Sequence, residues 1–445
     1  MHICLYSLPF LISYQILLER DLLERKLRNR IDIKEGAFNM DITQFTEDPR
    51  VVQPVKQLQD YWKRQEKKIS DIIDDEGNQY VDLVMEGGGV LGIALVGYTY
   101  VLESVGIRFL GVGGSSAGAI NAMLIACADI PEKPKSKMIL DILARLHMFS
   151  FVDGDQDAQD FIRSMIHGAG LVKMSWKGMQ IIDNLLEDLG LNPGKAFEDW
   201  MTSTLKKMGI MTLADLEKRM QVLPSGLRSR QGKILTEREA GSKLALVAAD
   251  ISTETKVIFP EMADIYFKKL KAIDPARFVR ASMSIPGFFH PYRVKDIPQG
   301  PEAVGKWKDK AGYIGQIPRE VLFVDGGIMS NFPIDLFHAK GIPLAPTFGV
   351  KLGTERTEPH KIEKPTQFMT AVFDSARHCA DYDFILRNPD YRNLLAFINT
   401  GDHNWLNFFM DDTAKVDLFA RGVNTAVGFL MEFNWDSYKK IRSNI

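Results

Sequence analysis

Apolar and polar positions along the chain fall into two rhythms. Short apolar runs closed by glycine mark strands, and longer stretches with apolar residues three and four apart mark helices. Residues 81–85 (Val-Asp-Leu-Val-Met) run straight into glycines and predict a buried strand. A helix is expected over 90–104, a second strand over 108–112 and a second helix over 116–127. Strand, helix, strand, helix predicts a βαβ unit and a mostly parallel sheet. Further strands are expected over 244–250, 256–259, 321–324, 347–352 and 394–398, and helices over 275–283, 366–386 and 413–433. Val55, Leu58, Trp62, Ile69 and Ile72 recur at helical spacing and predict one surface helix over 54–75, with Lys63, Arg64 and Lys68 on its solvated face. Between 130 and 241 the pattern changes to amphipathic helices, at 180–189 and 213–219, separated by glycine and basic loops. That reads as a large helical insertion above the sheet. Residues 298–313 are polar and read as loop, and boundaries near Val294 do not resolve.

Composition narrows the class without deciding it. The chain has 445 residues, 45% hydrophobic and 25% charged. That is ordinary globular usage and excludes a fibre, a disordered tail or a small disulfide scaffold. A net charge of -2 gives no bulk attraction for nucleic acid. Cys4, Cys127 and Cys379 lie far apart with no CxxC pairing, which argues against a zinc site or disulfide framework and suits a reducing, cytoplasmic setting. Residues 3–18 are mostly apolar but shorter than the ~20 a spanning helix needs. They also lack a basic n-region and a small-residue cleavage site. Lys34-Glu35-Gly36 can be encoded by a purine-rich run resembling a bacterial ribosome-binding site, just before Met40. The expectation is a start at Met40, with residues 1–39 a non-native or disordered extension. Peptides from before Met40 in mass spectrometry of the native protein would refute it. The expected layout is then a helical segment at 40–79, a catalytic domain at 80–355 carrying the insertion at about 130–241, and a C-terminal helical segment at 356–445.

Chemistry concentrates at three places. Gly87-Gly88-Gly89-Val90-Leu91-Gly92 follows a strand and opens a helix. Glycines there let the backbone turn sharply and approach a ligand, with N–H groups pointing at negative charge. The run also matches the dinucleotide fingerprint, which wants an acid at the end of the next strand; that strand ends Val112-Gly113-Gly114 instead. Gly114-Ser115-Ser116-Ala117-Gly118 is a G-x-S-x-G at a strand-to-helix junction. A nucleophile elbow needs glycines on both sides, projects Ser116 and sets the Ala117 N–H beneath a developing oxyanion. Val324-Asp325-Gly326-Gly327 ends an apolar strand, and its glycines allow a turn that aims the carboxylate across the sheet edge. Alone it is equally an Asp-Gly turn. Together the three motifs offer oxyanion donors, a nucleophile and a base at the carboxyl ends of strands in one sheet.

Glycine-rich loop, G-x-S-x-G and a distant Asp-Gly-Gly, in that order, resemble the patatin-like phospholipase family over roughly 80–352. The stretch from Ala281 to Phe289 (Ala-Ser-Met-Ser-Ile-Pro-Gly-Phe-Phe) and Asn331-Phe332-Pro333 are similar as well. The resemblance implies a three-layer α/β/α sandwich with a mostly parallel central sheet. It implies a lipid acyl hydrolase with a Ser–Asp dyad: Ser116 as nucleophile, Asp325 as base, and oxyanion donors from Gly87, Gly88 and Gly89. The family often carries Lys or Arg where this chain has Leu91, so no cationic contact to a phosphate head group is implied there.

The expected reaction is hydrolysis of a lipid or phospholipid ester through a Ser116 acyl-enzyme. No metal or other cofactor is expected, since no calcium-type loop of clustered Asp, Asn and Glu is present. Two rivals stay open. One is a Ser-Asp-His triad, since His338, His360, His378 and His403 all follow Asp325. The other is a non-catalytic lipid-binding protein. His290, beside Pro291, reads as structural. The insertion is the expected lid, with Met165, Leu171, Met174 and Trp176 as an apolar rim beside Lys173 and Lys177. Ordinary core packing is the competing reading for those apolar residues. Expected partners are the lipid substrate and a peripheral membrane surface, with no nucleic acid.

Overall fold

A computed structural model of the chain describes residues 40–166, 188–355, 359, 362–363 and 365–445. The expected extension at 1–39, most of the expected helix at 180–189, the rim residues Leu171, Lys173, Met174, Trp176 and Lys177, and His360 lie outside the described residues, as does the side chain of Met165. Residues 42–445 pack as one unit.

Helix α1 (Pro49–Gln65) starts where the Asp48 side chain accepts the Arg50 N–H at 2.8 Å and Pro49 occupies the first turn. It ends at Glu66, whose φ of 44° breaks the helical path. The expected helix over 54–75 therefore begins earlier and stops sooner. Ile72 belongs instead to a two-residue strand, Ile72–Ile73, at the sheet margin; its spacing imitated a helix by coincidence of period. Strand β1 (Gln79–Met85) leads into a single 3-10 turn and helix α2 (Gly92–Ser104), followed by strand β2 (Ile107–Ser115) and helix α3 (Ala117–Ala128). α2 and α3 are apolar on nearly all sides because other elements cover them all round.

The described part of the insertion holds α4 (Ser136–Ala144), α5 (Gln156–Ile166), α6 (Lys195–Lys207) and α7 (Leu213–Met220). Strands β3 (Lys243–Asp250) and β4 (Thr255–Phe259) follow, then α8 (Ala276–Ser282), β5 (Tyr292–Lys295), α9 (Pro301–Ala311) and β6 (Glu320–Asp325). The chain continues through β7 (Thr347–Leu352), α10 (Pro365–Arg387), β8 (Leu395–Ile398), α11 (Asp412–Glu432) and α12 (Trp435–Arg442). Helix α9 overturns the loop expected over 298–313. It turns only Ala303 and Trp307 into the core, too few for an apolar stripe. Its signal was punctuation: Pro301 at the first position and Gly312 in the left-handed conformation after the last turn.

Strands β8, β7, β1, β2 and β3 lie side by side and parallel, as the βαβ pattern predicts. Helices pack around this sheet, giving the α/β/α sandwich that the resemblance implies. β6 departs from expectation, because it pairs antiparallel with β3. The register explains how it still serves the site. On one edge β3 pairs continuously with β4, Leu246 to Asp250 against Phe259 to Thr255. On its other edge it pairs first with β2, up to Ser115 opposite Val247, and then with β6, from Asp325 opposite Ala248. β2 and β6 therefore meet head to head along one edge of β3. Asp325 arrives from the opposite direction, not at a shared carboxyl rim.

Candidate active site

Ser116 sits at the junction of β2 and α3 with φ 51° and ψ -118°. Such a conformation costs about 1–3 kcal/mol and persists only where its surroundings enforce it. Here they do. The Ser116 N–H donates to Ser282 Oγ at 3.0 Å, and that hydroxyl donates to the Val247 carbonyl at 2.6 Å. Close packing of α3 on the end of β1 completes the turn: a Cβ on Gly118 would lie 2.1 Å from the Met85 carbonyl oxygen.

Asp325 is 5% exposed, and the Ser116 hydroxyl stands near enough to its carboxyl to lower its pKa. Its carboxylate accepts the Gly327 N–H at 2.8 Å, and its own N–H donates to the Ser284 carbonyl at 2.8 Å. Burial pushes the carboxyl above its ordinary value. The Arg377 charge, the Ser116 hydroxyl and the Gly327 N–H oppose that rise. The turn at Gly326 is forced, since a Cβ there would lie 1.9 Å from the Val247 carbonyl oxygen.

The glycine loop corrects one expectation. Gly87 was grouped with the oxyanion donors, but its N–H donates to the Asn331 carbonyl at 3.0 Å and so is not available. Among the described residues no partner takes the N–H groups of Gly88, Gly89 or Ala117, and Gly89 and Ala117 line one cavity with Ser116. That cavity is about 570 Å³ with its mouth included, and its walls are apolar. Leu146, Phe151, Phe197 and Trp200 reach it from the insertion; Ile285 and Phe289 come from the segment after α8, and Phe408 from the C-terminal part. The described part of the insertion thus forms one wall above Ser116.

Among the described residues, the histidines after Asp325 have other partners. His338 Nδ1 lies 3.0 Å from the Tyr391 hydroxyl, His403 Nε2 lies 3.0 Å from Asp417 Oδ2, and His378 Nε2 stands 3.7 Å from Glu86. Burial lowers the pKa of His290, whose backbone N–H donates to the Asn192 carbonyl. Among the described residues no cluster of three or more His, Cys, Asp or Glu could hold a metal ion, and no helix is long and apolar enough to cross a membrane.

Several residues at the site had no assigned role in the sequence. Ser282, Ser284 and Asn331 fall in stretches similar to the family, yet only the fold shows that they hold Ser116, Asp325 and the glycine loop. Arg377 gave no signal, being a single cation in an otherwise ordinary helix.

The model of the patatin-like phospholipase family matches residues 83–338, more than half of the chain. The chain belongs to the patatin-like phospholipase family. YqhO of Bacillus subtilis (strain 168) is 28% identical over 358 residues, which span 80% of this patatin-like chain and 100% of YqhO. The crystal structure of VipD from Legionella pneumophila aligns with 17% identity and a TM-score of 0.40, over 82% of this chain and 70% of that one. Membership supports lipid acyl hydrolysis in general terms.

Proposed function

We propose that the protein cleaves carboxylic esters of lipids, phospholipids among them, with Ser116 as nucleophile and Asp325 as base. The observation that carries this reading is one juxtaposition. The Ser116 hydroxyl stands near enough to a buried carboxylate to lower its pKa, beside N–H groups that take no partner among the described residues, at the wall of an apolar cavity. As Ser116 Oγ attacks the ester carbonyl, Asp325 takes its proton. The N–H groups of Gly88, Gly89 and Ala117 stabilise the oxyanion, where each donor is worth roughly 10²–10³ in rate. Collapse breaks the ester C–O bond, and the leaving alcohol takes the proton back from Asp325. Water, deprotonated by Asp325, then releases the fatty acid from Ser116. The apolar cavity suits the acyl chain, and the substrate would be reached at a membrane surface.

The histidine contacts favour the dyad over a triad. Mass spectrometry of lipid products with wild type, Ser116→Ala and Asp325→Asn tests the proposal, with organophosphonate labelling of Ser116 alongside. Product formation by Ser116→Ala at the wild-type rate would overturn it. Loss of activity on replacing one histidine, equal to that of Ser116→Ala, would restore the triad. Failure of Ser116 to label would favour a lipid-binding role.

A further inference from the structure

Helix α10 lies beyond the residues matched by the family model, yet three of its side chains bear on the glycine loop and the turn after Asp325. Arg377 Nη2 donates to Asn331 Oδ1 at 2.8 Å. Asp381, one turn on, accepts the Ser330 hydroxyl at 2.9 Å and the Phe332 N–H at 2.8 Å. His378 stands beside Glu86, which forms a buried ion pair with Lys351.

Asn331 is the joint between these parts. Its carbonyl accepts the Gly87 N–H at 3.0 Å, and its Nδ2 donates to the Gly87 carbonyl at 3.3 Å. Its Oδ1 lies against the Asp325 turn, 2.7 Å from where a Cβ on Gly327 would be. The Arg377 guanidinium also lies over the Trp405 ring, 5.4 Å from its centroid, and the Trp405 carbonyl accepts the Val90 N–H at 3.0 Å. One cation thus reaches both the loop with the candidate oxyanion donors and the turn with the carboxylate.

We propose that Arg377 is a positioning residue for the Ser116–Asp325 pair: through Asn331 and Trp405 it sets the glycine loop against the Asp325 turn, and its charge faces the Asp325 carboxylate. This rests on the hydrolase reading above. A planar guanidinium holds Asn331 and lies over Trp405 with its donors in one rigid fork, an orientation that a freely rotating ammonium does not fix. The groups acting on Asp325 are the Ser116 hydroxyl, the Gly327 N–H and Arg377, and only Arg377 carries a charge. Beside Arg377 stand Asp374 and His378, and Glu86 and Lys351 act in turn on His378 and Asp381 of the same helix. Arg377 lowers the Asp325 pKa against the rise caused by burial. Without it the carboxyl protonates at higher pH and fails as a base sooner.

The test compares wild type, Ser116→Ala, Arg377→Gln and Arg377→Lys. It reads hydrolysis of p-nitrophenyl esters across pH and fluorophosphonate labelling of Ser116. Arg377→Gln is expected to lose roughly 10²-fold in kcat with KM little changed, the usual cost of misplaced catalytic groups. The acid limb of its kcat/KM profile is expected to move to higher pH. Arg377→Lys is expected to keep the acid limb near wild type without recovering kcat. A merely structural role would lower stability and the active fraction but leave the acid limb in place. An unmoved limb in a folded Arg377→Gln therefore overturns the proposal. If that variant does not fold, Arg377→Lys decides: wild-type kcat there removes the claim that the guanidinium sets the geometry. Wild-type protein that neither labels nor hydrolyses brings down the hydrolase reading, and this inference with it. Wild-type protein that does both, beside Arg377 variants that behave like it, brings down this inference alone.

Discussion

In the proposed reaction Asp325 has to be an anion to take a proton from Ser116, and its burial works against that. Its pKa lies above the ordinary carboxylate value even with Arg377 beside it. Below that pKa the base is protonated, so kcat/KM is expected to fall as pH drops through a midpoint above the free-aspartate value of about 3.9. A profile flat down to pH 4 would contradict the assignment. Ser116→Ala should cost at least about 10³-fold in kcat, measured on the same esters, since nucleophile and base act as a unit. The residue scale is also where the sequence was most readable. A glycine-flanked serine and an Asp-Gly-Gly turn are local requirements of backbone geometry, and local requirements leave local marks. Arg377 leaves none, because a charge on a helix looks the same whether it faces water or a carboxylate far away in the chain.

At the scale of elements, the site depends on two strands ending head to head on one edge of β3. Gly326 fills the narrow place between them. Gly326→Ala is expected to destabilise the protein by about 1–3 kcal/mol or more and to lower activity with it. Gly428, on the exposed face of α11, has nothing within 4 Å of an added Cβ. Gly428→Ala is therefore expected to stabilise the protein by about 1 kcal/mol of helix propensity and so to raise the melting temperature. Thermal melts of the two variants check both signs. The cavity is likewise an assembly of elements: Trp200 from α6 meets Phe151 edge to face, with centroids 5.4 Å apart. Trp200→Ala should lengthen the space for an acyl chain, so the ratio of kcat/KM for long over short esters is expected to rise.

Across the whole molecule, buried acids couple the fold to pH. Burial raises Asp82 to about 6 and Asp381 to about 7. Each binds its proton more tightly folded than unfolded, so its contribution favours the native state below about pH 4 and is lost as pH rises through 6 and 7. Asp381→Asn should flatten that part of the decline in melting temperature between pH 4.5 and 7.5. An unchanged slope would show that Asp381 is ionised in the native state throughout. Asp381 and Arg377 both come from α10, so the part of the chain beyond the family match braces the turn that follows Asp325.

The sequence by itself determined the alternation of strands and helices, the family, and the motif glycines with Ser116 and Asp325 among them. Each of these follows from contacts within a few residues: apolar period, turn geometry, the need for room at a tight bend. It misread helix α9 as a loop and misplaced the end of α1, where few residues face the core and spacing is ambiguous. Only the tertiary structure decided that β6 runs against its neighbours, that Gly87 is spent on Asn331, and that α10 reaches the site. Those facts are pairings between segments far apart in the chain, and neither partner carries the other's address in its own local pattern.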